Sequence, residues 1–405
     1  MTETFVVLGN GAAGQTAAER IRALKAESKI VLISAERHPH YSRVALPRYV
    51  RGQIAEDKVF MRSMKTYAEY DIDFRPGLTA TAIDARERFV QTSDGHSTRY
   101  DKLLIATGGR PKRSPWEIEE LPESSMAFQT VDDARRIIAR SDEARNVLVV
   151  GGGFIGYELA EGIAFRNKAK VTWLMRGPWF LSNILDQQAG AICKDLGEQA
   201  GVNMIDSDQI RSVEKVGEVF RVSTMTGHRF EVDLIAQGIG IDYHIEAAIS
   251  AGLVGEPGIR TNSRLRTKIP DIFAAGDIAL FEDEGARRYR QTGTWDSAMA
   301  QGKIAADNMA GGNQPFQEVA TYTTTMFGST IAVLGDVGRD AAGAETITVV
   351  GEDGRQYRKL CFHDRRLVGA VIIGPPKGRK KLLEMIRSRE ELEGKPESVL
   401  ASLPA

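Results

Sequence analysis

The hydrophobic pattern of the chain contains one arrangement twice. Residues 4–34, TFVVLGNGAAGQTAAERIRALKAESKIVLIS, open on a continuous apolar run, pass a glycine-rich turn, continue as an Ala-rich stretch and close on a second apolar run. Residues 146–175, NVLVVGGGFIGYELAEGIAFRNKAKVTWLM, repeat that order. Continuous apolar runs bounded by turns predict strands buried on both faces of a parallel sheet. The order strand, turn, helix, strand predicts an α/β nucleotide-binding unit, so two domains of similar design are expected. Between them residues 75–112 alternate and turn often, ending on the apolar strand KLLIATGG at 102–109. Pro111, Pro115 and Pro122 then mark a connector. Residues 211–236 alternate again, with FRVSTM and FEVDLIAQG as strand signals. The run IPDIFAAGDIALF at 269–281 reads as one apolar strand ending at Gly276-Asp277, and TWDSAMAQGKIAADNMAGG as a helix closed by Gly311 and Gly312. Within 346–374, ITVV, YRKLCF and LVGAVIIG are separated by Asp353-Gly354 and Asp364-Arg365, which predicts an antiparallel meander. A basic helical stretch, KGRKKLLEMIRSREELEG, follows, and a small third domain is expected there.

Bulk properties narrow the class. A chain of 405 residues exceeds one ordinary domain, and 42% apolar with 26% charged residues is the composition of a soluble globular protein. A formal net charge of −1 argues against nucleic-acid binding through a basic surface. Cys193 and Cys361 make no disulfide framework, and no zinc or iron–sulfur spacing occurs, so no metal is expected. The apolar run beginning at Phe5 leaves no room for a signal peptide, and no stretch is long enough to span a bilayer. A cytoplasmic protein without membrane insertion is the expectation.

Gly9, Gly11 and Gly14 complete a G-x-G-x-x-G between strand and helix. The first glycine permits the tight turn, the second lets a pyrophosphate approach the backbone, and the third lets helix and strand pack closely. The helix N-terminus offers N–H groups and partial positive charge to phosphates. Glu36, after the second strand, is placed to accept hydrogen bonds from a ribose diol. Gly151, Gly153 and Gly156 repeat the motif, but here the second strand ends at Met175 with Arg176 next. An arginine there leans toward a 2′-phosphate, that is NADPH, with a solvated loop arginine the alternative reading. A single glycine motif is weak; two in matching contexts are far more specific.

The ordered set GNGAAG, IATGGRP (105–111), GGGFIGYELA and TNSRLRTKIPDIFAAGD (261–277) resembles the FAD-dependent pyridine nucleotide–disulfide oxidoreductase superfamily over roughly residues 3–315. The resemblance implies an α/β fold with two Rossmann-like, three-layer (ββα sandwich) domains and a small α/β C-terminal domain. It implies a discontinuous FAD domain at 1–112 and 245–319, an inserted NAD(P) domain at 113–244, and a third domain at 320–405. FAD would be held by Gly9, Gly11, Ala13, Gly14, Glu36, Arg43, Thr107, Gly108, Asp277 and Trp295, with Asp277 on the ribityl chain. NADH or NADPH would be held by Gly151, Gly153, Phe154, Ile155, Gly156, Arg176 and Gly238.

The segment YSRVALPRYVRG at 41–52 looks like the flavin-facing segment of that superfamily, yet the redox cysteine two residues before Leu-Pro is Val44 here. Valine forms neither thiolate nor sulfenic acid, so disulfide and peroxide chemistry at that position are excluded. The histidine that peroxidases and oxidases place in the first glycine turn is Ala12. The segment is also similar to that of the cysteine-less rubredoxin reductases, ferredoxin reductases and nitrite reductase flavin domains, some of which carry a lysine where this chain has Arg48. That lysine pairs with a glutamate corresponding to Glu158, so an Arg48–Glu158 ion pair beside the flavin is expected, binding or gating the nicotinamide carboxamide. The meander YRKLCFHDRRLVGAVIIG looks like the last domain of rubredoxin and nitrite reductase flavoproteins.

The function these readings imply is electron transfer from NAD(P)H through FAD to a separate acceptor such as a ferredoxin or rubredoxin. A flavin subunit of a larger, nitrite reductase-like complex and a non-catalytic FAD/NAD(P)-binding redox sensor remain alternatives. Partners would be a small electron carrier or a reductase subunit, with a homodimer compatible. Lys377, Arg379, Lys380 and Lys381 fall where they would dock an acidic carrier, although a solvated helix face is the commoner explanation. His38 and His40 follow the Glu36 loop, where they could approach the adenosine of FAD, although solvent-exposed loop histidines are the favoured reading; His363 reads as a surface turn residue.

Overall fold

The computed structural model describes residues 2–118, 121, 124–166, 169–253, 257–284 and 287–403; the expected connector residue Pro122 lies outside them. The chain divides into two compact units, Met1–Ala45 with Ala55–Arg110 and Ile241–Glu318, and Leu46–Ile54 with Pro111–Gly240 and Val319–Ala405.

The first unit is built on a five-stranded parallel sheet in the order Ile272–Ala274, Lys102–Ile105, Thr4–Leu8, Lys29–Ser34, Ile72–Pro76. Its central strand carries Phe5, Val6 and Val7, all fully buried. A fully buried side chain of this size contributes about 1.5–3 kcal/mol, which is why the apolar run settles at the sheet centre. From Thr4–Leu8 the chain leaves toward Lys29–Ser34 on one side, while Lys102–Ile105 lies on the other. That divergence makes a crevice at the carboxyl ends, the usual place for a ligand in an open α/β sheet. Helix Ala12–Leu24 buries Ala17, Ala18 and Ile21, and helix Trp295–Met309 packs on it through small residues. A Cβ on Gly302 would sit 2.2 Å from the Ala13 carbonyl oxygen, so only glycine allows that approach.

The second unit repeats the design. Its parallel sheet runs Asn203–Ile205, Lys170–Leu174, Asn146–Val150, Leu234–Gln237, Met126–Ala127. A three-stranded antiparallel sheet, Ile210–Val216, Val219–Thr224 and Arg229–Val232, accounts for the alternating stretch. The C-terminal part of the unit is a five-stranded antiparallel sheet in the order Thr321–Met326, Ser329–Gly335, Arg366–Ile373, Tyr357–His363, Glu345–Val350. Helix Arg379–Ser388 covers it with Leu382 and Ile386. The α/β class is thus as expected.

Two local readings need correction. The run 269–281 is two strands, Ile272–Ala274 and Ala279–Asp283, in different sheets. Gly276, at φ +79°, turns the chain between them, and a continuous apolar pattern conceals that turn. The C-terminal meander has two further strands at 321–326 and 329–335; the first reads TYTTTM, mostly polar and half-buried, and so gives little apolar signal. Among the described residues no helix is long and apolar enough to cross a membrane.

Candidate functional site

The three glycines of the first turn separate cleanly by what surrounds them. Gly9 has φ +104°, and a Cβ there would lie 2.2 Å from the Ala106 carbonyl oxygen; on Gly14 it would lie 1.8 Å from the Gly9 oxygen. Both are required by the fold itself. Gly11 is extended at φ −76°, and a Cβ there would meet nothing within 4 Å. No internal contact demands glycine at position 11, and the open space lies at the start of a helix with no side-chain cap and no acid in its first turn. That is a cradle for an anion bound through backbone N–H groups.

Around this turn the first unit collects most of the expected FAD residues. Glu36 is half-buried; its carboxylate accepts a hydrogen bond from Tyr41 Oη at 2.5 Å and one from Arg43 Nη2 at 2.7 Å. Both oxygens are thereby oriented, each with a lone pair left for a hydroxyl. Asp277 follows the Gly276 turn. Burial pushes its carboxyl above the usual range, partly offset by the charge of Arg43, and no side chain among the described residues bonds to it. Ala13 sits against Gly276 and Gly302. The Thr107 hydroxyl donates to the His244 carbonyl at 2.9 Å, and Gly108 takes φ +60° with nothing within 4 Å of its absent Cβ. Trp295 opens its helix, with Thr294 as N-cap. A dinucleotide with ribose and polyol hydroxyls fits this set: an open phosphate cradle, an oriented carboxylate, and a buried carboxylate with no side-chain partner among the described residues.

His40 corrects the solvent-exposed reading. It is buried, stacked on Trp295 at 5.5 Å and 24°, with Nδ1 3.1 Å from the Asn10 carbonyl oxygen. Burial lowers its pKa below the usual imidazole range, opposed by the Asn10 contact. Asn10 and the His40 N–H both donate to Tyr67 Oη, at 2.8 and 2.9 Å. His38 is half-buried. His363 is exposed at its turn beside Asp364.

The second turn matches the first. Gly151 has φ +125° and its Cβ would fall 2.3 Å from the Gly238 oxygen; on Gly156 it would fall 2.0 Å from the Gly151 oxygen; on Gly153 it would meet nothing within 4 Å. Trp173 Nε1 donates to the Gly151 carbonyl at 2.7 Å and pins the turn. A Cβ on Gly238 would lie 2.7 Å from the Gly156 nitrogen and 2.8 Å from Ile155 Cβ, so glycine is needed there for the turn to pack. Met175 is buried and Arg176 exposed, with no ion pair among the described residues. The open middle glycine at the start of the helix Phe154–Arg166 offers the same anion cradle as the first turn, here without a carboxylate after the second strand.

Glu158 lies one turn into the helix Phe154–Arg166. Burial pushes its carboxyl up to about 7, against the lowering charge of Arg51 and a hydrogen bond from Tyr322 Oη at 3.4 Å. The expected Arg48–Glu158 ion pair does not form. Arg48 is exposed on the short helix Leu46–Val50, and Arg51, one turn further on, supplies the cation instead. Arg51 forms its own buried ion pair with Glu161, whose carboxylate also accepts from Tyr157 Oη at 3.1 Å and from the Phe327 N–H at 2.5 Å. Tyr322, which sequence reasoning missed, stacks on Phe154 with ring centroids 3.4 Å apart. No local motif marks it.

The remaining chemistry is sparse. Val44, at the cysteine position, is 61% exposed. Cys193 and Cys361 are buried free thiols; burial pushes Cys193 up to about 12 and raises Cys361 as well, so neither is a ready nucleophile. Among the described residues no group of three or more His, Cys, Asp or Glu is placed to hold a metal. Lys377, Arg379, Lys380 and Lys381 gather at the N-terminal end of the last long helix, where Lys381 Nζ donates to the Ser402 carbonyl at 3.3 Å.

Comparison with known families decides the lineage: residues 3–302 match the pyridine nucleotide-disulphide oxidoreductase family. The chain belongs to that family. Residues 323–390 match the rubredoxin NAD+ reductase C-terminal domain. The chain is 31% identical over 390 residues to the 3-phenylpropionate/cinnamic acid dioxygenase ferredoxin–NAD(+) reductase component of Photorhabdus laumondii, covering 95% of this oxidoreductase and 96% of that protein. It is 25% identical over 395 residues to the assimilatory nitrate reductase electron transfer subunit of Bacillus subtilis, covering 96% of this chain but 50% of that one. In fold it is similar to the crystal structure of the covalent putidaredoxin reductase–putidaredoxin complex, at TM-score 0.90 and 24% identity, over 99% of this chain and 98% of that one.

Proposed function

We propose that this oxidoreductase carries electrons from NADH through FAD to a small ferredoxin-type protein. Bound FAD supplies the conversion of a hydride into single electrons. The protein's part is binding, orientation and control of charge. Gly9, Gly11, Gly14 and the N-terminus of helix Ala12–Leu24 would hold the pyrophosphate of FAD. Glu36, set by Tyr41 and Arg43, would receive the ribose hydroxyls, and Asp277 the ribityl chain, with Ala13, Thr107, Gly108 and Trp295 lining the rest. Gly151, Gly153, Phe154, Ile155, Gly156 and Gly238 would hold the nicotinamide nucleotide, and Arg176 would meet its adenosine end. Glu158 would accept the carboxamide N–H, with Arg51 as its nearby cation in place of Arg48. In this reading residues 1–112 and 245–319 serve FAD, 113–244 serve NADH, and 320–405 form the third domain.

The observation that carries the reading is the pair of glycine turns, each with its middle glycine open at a helix N-terminus and each at the crevice of its own parallel sheet. Two nucleotides without a redox cysteine leave a flavin relay as the simplest chemistry. NADH rather than NADPH is favoured because the 31%-identical relative is named for NAD(+). Two buried free thiols suit a cytoplasmic setting. The test is anaerobic mixing of the holoenzyme with NADH and a [2Fe–2S] ferredoxin, following ferredoxin bleaching. Catalytic bleaching is expected; none, with the flavin itself reduced, would overturn the carrier assignment. That outcome would favour a second reading as a subunit of a larger reductase, to which the match with half of the Bacillus subtilis electron transfer subunit points.

A further inference from the structure

Tyr322 stands on the first strand of the C-terminal sheet, Thr321–Met326, yet its contacts lie on the second nucleotide-binding turn. Its ring is stacked on Phe154, planes 29° apart, and its hydroxyl donates to Glu158 Oε1 at 3.4 Å. Tyr157, between those two positions, is tied to the same strand through Thr324 Oγ1 at 3.2 Å and the Thr325 carbonyl. The strand therefore fixes three successive features of the helix that begins at the glycine turn.

We propose that Tyr322 is a positioning residue for the nicotinamide end of the second nucleotide: it holds Glu158 in the orientation that receives the carboxamide N–H and holds Phe154 flat at the turn, so that the C-terminal domain sets nucleotide affinity and its pH dependence. The proposal rests on the NADH reading of the second site. Its physical basis is preorganisation. A carboxylate and a ring already ordered by a neighbour lose less freedom when the nucleotide arrives.

The electrostatics give the role a signature. The groups facing Glu158 are Arg51 from the 46–54 segment, Tyr322 from the C-terminal strand and Tyr157 from its own helix. Burial holds the Glu158 carboxyl at about 7, while Arg51 and the Tyr322 hydroxyl favour the ionised form. The ionised form accepts from the carboxamide, so nucleotide affinity falls as pH drops through that value. Removing the hydroxyl withdraws a donor from the carboxylate and raises the pH at which affinity is lost.

The experiment is the KM for NADH of the FAD-loaded enzyme against pH, for wild type, Tyr322→Phe, Tyr322→Leu and Glu158→Gln. Tyr322→Phe keeps the stack; its midpoint should move up by about one pH unit, a tenfold change in proton affinity for one lost charge-assisted hydrogen bond. KM at pH 7 should rise several-fold, with kcat and FAD content unchanged. Tyr322→Leu should also raise KM well above the midpoint, where Tyr322→Phe has no effect, and Glu158→Gln should give a flat profile. A Tyr322→Phe profile superimposable on wild type would overturn the proposal while leaving the NADH site intact. Failure of NADH to reduce the wild-type flavin would instead remove the reading on which it rests.

Discussion

The two kinds of glycine in the first turn should respond to alanine in opposite ways. At Gly9 the backbone is left-handed, φ +104°, and an alanine there costs about 1–2 kcal/mol in backbone strain. Its Cβ would also stand 2.2 Å from the Ala106 oxygen, and separating two packed backbone segments costs about 1–3 kcal/mol more. Gly9→Ala should therefore destabilise the flavin-free protein by about 2–5 kcal/mol. At Gly11 the backbone is extended and the added methyl meets nothing; replacing glycine by alanine at a helix N-cap costs under about 1 kcal/mol. The same methyl would fill the phosphate cradle and weaken FAD binding by about 1.4–2.8 kcal/mol, ten- to a hundredfold. Urea unfolding of the flavin-free variants reads the first effect and a fluorescence titration with FAD the second. A Gly11→Ala variant that binds FAD like wild type would refute the cradle. A Gly9→Ala variant as stable as wild type would refute the division of roles.

Other consequences are as direct. Glu158 has a folded pKa of about 7 against an ordinary 4.5, so the folded state prefers it protonated and its ionisation costs stability that is fully felt above pH 7 and absent below 4.5. Glu158→Gln should thus gain on the order of 2–3 kcal/mol over wild type at pH 8 and almost nothing at pH 4, read from urea midpoints; an equal gain at both would contradict the assigned burial effect. Arg51→Ala leaves the buried Glu161 carboxylate without its cation and should cost about 3–5 kcal/mol of stability, measured by thermal unfolding. Arg176→Ala should raise the KM for NADPH more than that for NADH, because an exposed arginine at the adenosine end gains a charge-assisted contact from a 2′-phosphate that NADH lacks; an equal effect on both would remove Arg176 from cofactor discrimination.

The features legible in the sequence were those with local causes. Gly9, Gly14, Gly151 and Gly156 are dictated by turn angles and close backbone approach within a few residues, and the continuous apolar strands announce a parallel sheet. Glu36 follows from its place after the second strand. What the sequence concealed came from partners far apart along the chain. Tyr322 and Glu158 are 164 residues apart, and nothing in TYTTTM signals a role beside a nucleotide. Arg48 and Arg51 are equivalent by type and spacing; only the packing of Leu46–Val50 against the helix Phe154–Arg166 decides that Arg51 is the cation near Glu158. His40 looked like a loop histidine because its stack on Trp295 joins segments at opposite ends of the first unit.

The proposed relay requires that this chain bind two nucleotides and that one reduce the other. Anaerobic titration of the purified yellow protein with NADH, and separately with NADPH, followed in the visible flavin absorbance, tests it most directly. Rapid bleaching by NADH at stoichiometric concentration, slower with NADPH, is the expected result. A flavin that neither nucleotide bleaches would contradict the account and leave the second glycine turn as a site for some other ligand.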